Sequence, residues 1–578
     1  MTTPAGVRYA YTVESYRDEA GRPRQRVVIS HGRVDDLEKA DPEALVKLRR
    51  QAVEMSGQKA AVKGRIGYDT TTPWDGGRAL GVGWWLADAM LARLDPADAL
   101  RRSGHTGVVV TEVLRLLVGA RVVDPCSKKA TVEKTAARLM GAPDVGLRQV
   151  YDVLDAIAEA SVRLQRTAWK ARGGTTADLA TVDYDVTNYF FHVDHDDDGE
   201  GVDAPRGRAV RRRGHSKESR PDPIIQMGLF LDAAGLPVCF RLFDGNVPDT
   251  STLGGAISEF KDEFPTGRVV VVADKAMASG PNRGLLLQSG DGWIVSTSAR
   301  QADRTIRDWL LDEIGWTWND EHTMKTKSMT ITSVVPITIN GVSGLKKTVE
   351  EKLIARWSVD RAAKDGFDRA QAVSKAEQLA ADPARFAASN RRGIKKYVTA
   401  DTIIKATGEV LGPKQTVSQL AIDRVKAARE AEMDGFWMLR TSETGMTDEA
   451  VLARYAMLWR IEQTFRVTKT ELSARPVFVR TPAHIEAHFT ICFLALLVTR
   501  LLERWTGLPA SRLVDALQQM TVIDCGQGVH RLQRTNDWTI IDQTVGASLN
   551  QSWATIEQLR DWRRRLTTAA KTAEFPTP

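Results

Sequence analysis

The chain has 578 residues, 43% of them hydrophobic and 26% charged, with a net charge of +7 and a pI of about 9.1. That length exceeds one core of roughly 100–200 residues, the composition is that of soluble globular protein, and the mild basicity suits a polyanionic partner. Cys126, Cys239, Cys492 and Cys525 stand far apart, which excludes a zinc knuckle or a disulfide framework and fits a reducing compartment. The first residues hold no apolar signal core, and the longest apolar run, near Phe489 to Leu502, falls short of the ~20 residues that span a bilayer. A cytoplasmic protein with no membrane segment is expected.

In chain order, residues 7–31 predict a hairpin, with strand-like VRYAYTVESY and RQRVVIS around the turn-forming DEAGRP. From about 40 to 172, apolar residues recur at spacings of three and four, which predicts helices; Asp41-Pro42 and Asp95-Pro96 suit helix entry. At 179 the texture changes. LATVDYDVTNYFFHVD predicts two strands, and IIQMGLFLD and LPVCFRLFDG a hairpin about Ala233-Ala234-Gly235. A helix (TLGGAISEFKDEF), a buried strand (RVVVVAD), a short helix near Asn282 to Gln288 and the strand GWIVST follow, an α/β order. Residues 300–434 break this rhythm with strand-like MKTKSMTITSVVPITI, a charged helical stretch and strand-like KKYVTA, and read as an insertion. GFWMLRTS returns to the core. One long helix is predicted from about Asp448 to Glu471 and another from Ala483 to Trp505, while the last 60 or so residues show no assignable order.

Three carboxylates stand in settings that present functional groups. Asp185 lies in the strand YDVT, with Asp183 on the same face by alternation. Asp274 ends the buried strand VVVVA, and Glu462 sits on a helix with Arg460, Arg466 and Lys469. Gathered by a fold, such acids can hold two hard divalent cations, because Mg2+ takes oxygen ligands and fills its shell with water and substrate phosphates. Arg206, Arg208, Arg211, Arg212, Arg213, Lys217 and Arg220 form a basic stretch that reads as a phosphate-contacting loop. Asp194, Asp196, Asp198 and Gly199 imitate a calcium loop, but its twelfth position is Pro205. His484 and His488 resemble the zinc helix H-E-x-x-H, but Glu486 falls one place late for it, and no GxxxxGK[ST] sequence occurs, so no nucleotide cofactor is expected.

These segments resemble the DDE transposases of bacterial insertion sequences, in the insertion-sequence-4 superfamily and its insertion-sequence-1634 branch. The resemblance rests on GHSKESRPDPIIQMGLFLDAAGLPVCFRLFDGNVPDTSTL, on YAMLWRIEQTFRVTKTELSARPV, on RTPAHIEAHFTICFLALL and on the N-terminal ESYRDEAGRPRQRVVISHG. It implies a ribonuclease H-like α/β core interrupted by a β-rich insertion, behind a mainly helical N-terminal region. Asp185, Asp274 and Glu462 are then the metal-holding catalytic acids for two Mg2+ ions, with Mn2+ able to substitute. In the superfamily signature of Tyr, Arg, Glu and Lys, residues Tyr455, Glu462 and Lys469 match at spacings of seven, near one helix face. Leu458 replaces the arginine, and Arg460 or Arg466 is the candidate to supply its charge. Trp437 matches a tryptophan that stacks on a flipped base in relatives.

The partners implied are double-stranded DNA, at terminal inverted repeats and at the target, and a second copy of the chain in a homodimer on DNA. The activity implied is cleavage at transposon ends followed by strand transfer. A catalytically inactive DNA-binding descendant and a nuclease without strand transfer are the alternatives. The organisation expected is an N-terminal hairpin and helical region that contacts DNA ends (1–175), a core in two parts (176–299 and 435–506), an insertion (300–434) and a C-terminal region (507–578).

Overall fold

The computed structural model describes residues 7–17, 23–41, 44–45, 47–48, 51, 78–197, 211–339, 342–381, 392–401, 419–526, 528–549 and 551–575. Most of the N-terminal turn, most of residues 42–77 of the expected helical region, and Asp198, Gly199, Pro205, Arg206 and Arg208 lie outside the described residues. The chain divides into two compact units, residues 1–77 with 525–529, and residues 78–524 with 530–578. In the smaller unit, β1 (Tyr9–Arg17) and β2 (Pro23–Arg33) pair antiparallel and lead into α1 (Val34–Ala40).

The larger unit begins with β3 (Ala79–Gly81) and the helices α2 (Trp84–Arg93), α3 (Pro96–Arg102), α4 (Val108–Val123) and α5 (Ser161–Ala171). Asp95-Pro96 opens α3, with the Asp95 carboxylate accepting from the Asp98 amide. Next come β4 (Thr181–Phe190), β5 (Ile224–Leu231), β6 (Pro237–Asp244), α6 (Asp249–Glu263), β7 (Val270–Ala273), α7 (Gly280–Gln288) and β8 (Gly292–Thr297). Then follow α8 (Arg304–Leu311), β9 (Thr317–Trp318), β10 (Met324–Ile339), β11 (Val342–Ser358), α9 (Val359–Ala380), β12 (Val398–Asp401), β13 (Gln419–Ile422) and β14 (Phe436–Thr441). Nine of these strands form one sheet in the order β6-β5-β4-β7-β8-β14-β11-β10-β9, with β4, β7 and β8 mutually parallel and every other pairing antiparallel.

All eight residues of β5 and all four of β7 are buried, as strands covered on both faces must be. Alternation sorts the side chains. Val182, Tyr184, Val186 and Val271 pack under α6 with Leu253, Ile257 and Phe260, so Asp183 and Asp185 point to the opposite face. On that face lie α10 (Asp448–Ala456), α11 (Trp459–Lys469) and α12 (Pro482–Thr506). Helix α12 is capped by Thr481, opens with Pro482 and stops at Gly507, whose φ of +71° suits glycine. By length and composition it could cross a membrane, yet 94% of its most apolar window is buried inside the protein. Its Phe489 and Phe493 meet Tyr189 and Phe240 at 4.9 and 5.6 Å. The chain ends with β15 (Thr521–Asp524), β16 (Val529–Gln533), β17 (Trp553–Thr555) and α13 (Ile556–Thr572). These strands form a second sheet, β17-β16-β15-β3.

Two readings of the sequence change, and a third gains detail. LATVDYDVTNYFFHVD forms one strand, because β4 runs unbroken between β5 and β7. Within the stretch read as an insertion, β10 and β11 pair as a long hairpin that continues the main sheet, since β11 pairs with β14 from Lys352↔Thr441 to Trp357↔Phe436. The helix expected from Asp448 to Glu471 divides at Met457–Leu458, where successive amides bond three residues back instead of four. Tyr455 therefore ends one helix, and Glu462 and Lys469 belong to the next.

Candidate active site

Register brings the first two acids together. Strands β4 and β7 are parallel neighbours with Tyr184 opposite Ala273, so the next residues, Asp185 and Asp274, are adjacent across the strand pair. Asp274 follows the last residue of β7 and caps a short 3-10 turn. Its Oδ1 accepts from the Lys275 amide at 2.6 Å and from the Ser296 hydroxyl, on neighbouring β8, at 3.0 Å. Asp185 Oδ1 accepts from the Val186 amide at 2.7 Å. Among the described residues no hydrogen bond reaches Oδ2 of either acid, so each turns one oxygen outward. Burial raises the Asp185 carboxyl to about 6; Lys217 opposes this shift, and the charges of Asp274 and Asp249 add to it.

Asp183, on the same face of β4, is fully buried and paired with Arg454 at 2.7 Å. Burial outweighs Arg454 and Arg460 and also holds Asp183 up at about 6. Arg454, which sequence reasoning missed, brings a cation to this helical segment, while Leu458 at the expected arginine position is buried. Arg460 donates to the Ala234 carbonyl at 3.1 Å, in the β5–β6 turn, and so is engaged with the protein. Arg466 is exposed and has no side-chain partner among the described residues.

Two lysines flank Asp185. Lys217 is exposed, donates to the Val186 carbonyl and lies 3.6 Å from Asp249. Lys469 lies 3.4 Å from Glu218 and 5.6 Å above the Tyr189 ring. Burial, with Lys217 adding, lowers it to about 8, against the pull of Asp185. The remainder of the basic stretch is mixed. Arg211 is buried, stacked 5.5 Å from Phe191 and locked to Asp197, so it turns inward and is not available to phosphate. Arg212 is half-buried, and its backbone bridges to Ile224. Arg213 is exposed but tied to Asp196 and to the Asp194 and Pro221 carbonyls.

Glu462 is exposed on the first turn of α11. Among the described residues no three acid, histidine or cysteine side chains group closely enough to hold a metal ion. Tyr455 senses all three. Burial raises its phenol to about 12, Ser296 opposing and the charges of Asp274, Glu462 and Asp185 adding. Beside it a cavity of about 500 Å3 is bounded by Asp274, Phe436, Trp437 and Tyr455, with Arg300 and Arg361. The Trp437 ring is half-buried, 6.0 Å from Tyr455 and 5.9 Å from the Arg356 guanidinium. The histidines that imitate a zinc helix point to separate partners: His484 to Asp155 at 3.7 Å, and buried His488 to Lys128 at 3.3 Å and the Ala474 carbonyl at 3.0 Å.

A family model described as a transposase DDE domain matches residues 196–498, and one described as the N-terminal domain of IS1634 family transposases matches residues 2–61. The first spans more than half of the sequence, so the chain belongs to the DDE transposases, and the second puts it among those of the IS1634 family. Asp274 and Glu462 fall inside the first match, and Asp185 lies just before it. No curated protein matches the chain. Among solved structures, a piggyBac transposase synaptic complex with hairpin DNA aligns at 8% identity and a TM-score of 0.33, over 80% of this chain and 71% of that one, a likeness too low to bear on the site.

Proposed function

We propose that the chain cuts DNA at the terminal inverted repeats of its own element and joins the freed ends to target DNA, using Asp185, Asp274 and Glu462. The observation that carries this reading is the β4–β7 register, with Asp185 beside Asp274 and one oxygen of each left free of hydrogen bonds. The order β6-β5-β4-β7-β8 supports a ribonuclease H-like core, with the first acid on its first strand, the second after its fourth and the third on a later helix. Residues 176–299 and 435–506 are then its two parts and 300–434 its insertion, with 1–175 before it and 507–578 after it.

The acid pair fits hard divalent cations, two Mg2+ or Mn2+ in their place. Carboxylate oxygens are the donors such ions take, and a cation relieves the repulsion that Asp274 adds at Asp185. When bound, the ions activate the attacking oxygen and stabilise the leaving one. Glu462, exposed on the first turn of α11, supplies the third acid. In the first step water bonds to phosphorus at the repeat boundary, the P–O3′ bond breaks, and the transposon end leaves as a 3′-hydroxyl. In the second, that hydroxyl loses its proton and bonds to a target phosphorus; the target's own P–O3′ bond breaks and its oxygen takes a proton. Lys217, Lys469 and Arg466 hold backbone phosphates, and Trp437 and Tyr455 offer ring surface to an unstacked base. Two ends handled together call for a homodimer on DNA.

The test is cleavage of a labelled duplex carrying the inverted repeat, in Mg2+ or Mn2+, by the parent protein and by Asp274→Ala. Metal-dependent nicking at the repeat boundary that disappears in the variant is the expected result. Equal cutting by both would sink the carboxylate assignment, and repeat-specific binding without cutting would mark an inactive descendant.

A further inference from the structure

A second cavity, about 740 Å3 in volume, adjoins the aromatic one. The two share a wall of Asp274, Lys275, Thr297, Ser298 and Met438, then diverge. One runs toward Trp437 and Tyr455, the other toward Thr250, Ser279, Gln301 and Arg440. No aromatic ring among the described residues lines the second. Lys275 is exposed and has no side-chain partner among the described residues. Arg440 lies 3.1 Å from the fully buried Glu351, which it shares with Arg283 at 2.6 Å, so this ion network carries one positive charge in excess. Asp303 is the acid on the same wall beyond Asp274, and its carboxylate caps α8 through the Ile306 amide at 2.9 Å.

The two steps proposed above make unequal demands on the two sides of the scissile phosphorus. The transposon 3′-oxygen leaves in the first step and attacks in the second, so it keeps to one side throughout. An in-line displacement puts the other partner opposite: a water molecule in hydrolysis, and the departing 3′-oxygen of the target strand in transfer. One side therefore needs room for a polynucleotide in the second step only. Ring surface suits the transposon end, whose bases can stack. Cations and hydroxyls bind phosphate oxygens and do not read bases, so a strand held by them is held whatever its sequence.

We infer that the second cavity seats the departing target strand, with Lys275 and Arg440 facing its phosphates and Thr250, Ser279 and Gln301 donating to its backbone. This rests on the two-step reading. Gln301 is exposed and lines this cavity but not the aromatic one, so Gln301→Glu keeps size while adding a negative charge. With pre-cut ends and a plasmid target, Gln301→Glu should lower strand transfer about ten-fold or more through like-charge repulsion, while hydrolysis at the repeat boundary stays within about two-fold of the parent. Gln301→Lys should keep or raise transfer. Undiminished transfer, or equal loss of both reactions, overturns the inference. A second readout is independent of activity: Gln301→Cys should form a disulfide with a thiol tethered to a backbone phosphate of a target duplex, and not with one tethered to the repeat end. No disulfide, or equal yield from both DNAs, overturns it too. A parent protein that neither cuts nor joins defeats the two-step reading instead, and the disulfide pattern still decides whether the cavity takes a DNA strand.

Discussion

Both hydrogen bonds to Asp274 land on Oδ1, one from a backbone amide fixed by the chain and one from Ser296. A carboxylate held at one oxygen presents the other in a fixed direction, and outer partners of this kind are worth about 10–100-fold in metal affinity. Ser296→Ala should therefore weaken Mn2+ binding by about that factor, followed by paramagnetic resonance in the absence of DNA, and Ser296→Thr should recover most of it. Unchanged Mn2+ affinity in Ser296→Ala would remove Ser296 from the site. The raised Asp185 carboxyl sets a pH dependence. Its folded-state value lies above the ordinary 3.8, at about 6, so in that interval the metal-free folded protein holds a proton that the unfolded chain has shed. Stability of the metal-free protein then falls as pH rises through the interval, while metal uptake, which needs the carboxylate, is gained. Mn2+ affinity measured from pH 5 to pH 7.5 should rise through about 6, and a flat profile would contradict the shift. Asp185 and Asp274 are legible in the sequence because a strand pattern brackets each of them. Ser296 and Arg454 are not, because their partners are set by the β7–β8 register and by the docking of α10, and neither leaves a mark on neighbouring residues.

At the scale of elements, the hairpin of β10 and β11 extends the main sheet beyond β14. Its charged, alternating residues read as part of an insertion, and no local feature reveals that β11 pairs with β14, on the far side of α9. The hairpin is clamped to the sheet by α7. A Cβ at Gly284 would lie 1.8 Å from the Pro336 carbonyl oxygen, so only glycine lets helix and strand approach this closely. Gly284→Ala must push α7 and β10 apart and should destabilise the protein by about 1–3 kcal/mol or more, read from urea unfolding, as overpacking does. An unshifted midpoint would show that the contact yields without cost. The tightened turn between α10 and α11 is likewise invisible to a helical repeat, since Met457 and Leu458 fit an amphipathic pattern with or without it.

Across the whole molecule, the second unit holds its own core. Among the described residues the buried apolar ones, Val34 aside, run from Val82 onward, whereas in the N-terminal hairpin Val27, Val28 and Ile29 are 49%, 50% and 38% exposed. A chain lacking residues 1–77 should keep the main melting transition within a few degrees, measured by calorimetry; loss of that transition would show that the larger unit depends on the smaller. The alternation of strands and helices from 181 to 297 was legible because each element is long and locally patterned. The C-terminal region was not. Its strands are short, and β15 finds its partner in β3, with Thr521 opposite Gly81 and Ile523 opposite Ala79, so the pairing signal is split between distant parts of the sequence.

The burial of α12 also sets a schedule for the chain during synthesis. Helices α2 and α4 pack on α12, so their apolar faces emerge from the ribosome long before the helix that covers them. At about 5–20 residues per second, the interval between Val123 and Thr506 lasts roughly 20–80 s. In the later part of that interval both acid-bearing strands are already made while the N-terminal layer waits with its greasy side open. A message cut short before α12 would thus yield a fragment fit for capture by chaperones or proteases, since the strands that carry Asp185 and Asp274 gain their covering layer only once α12 is made.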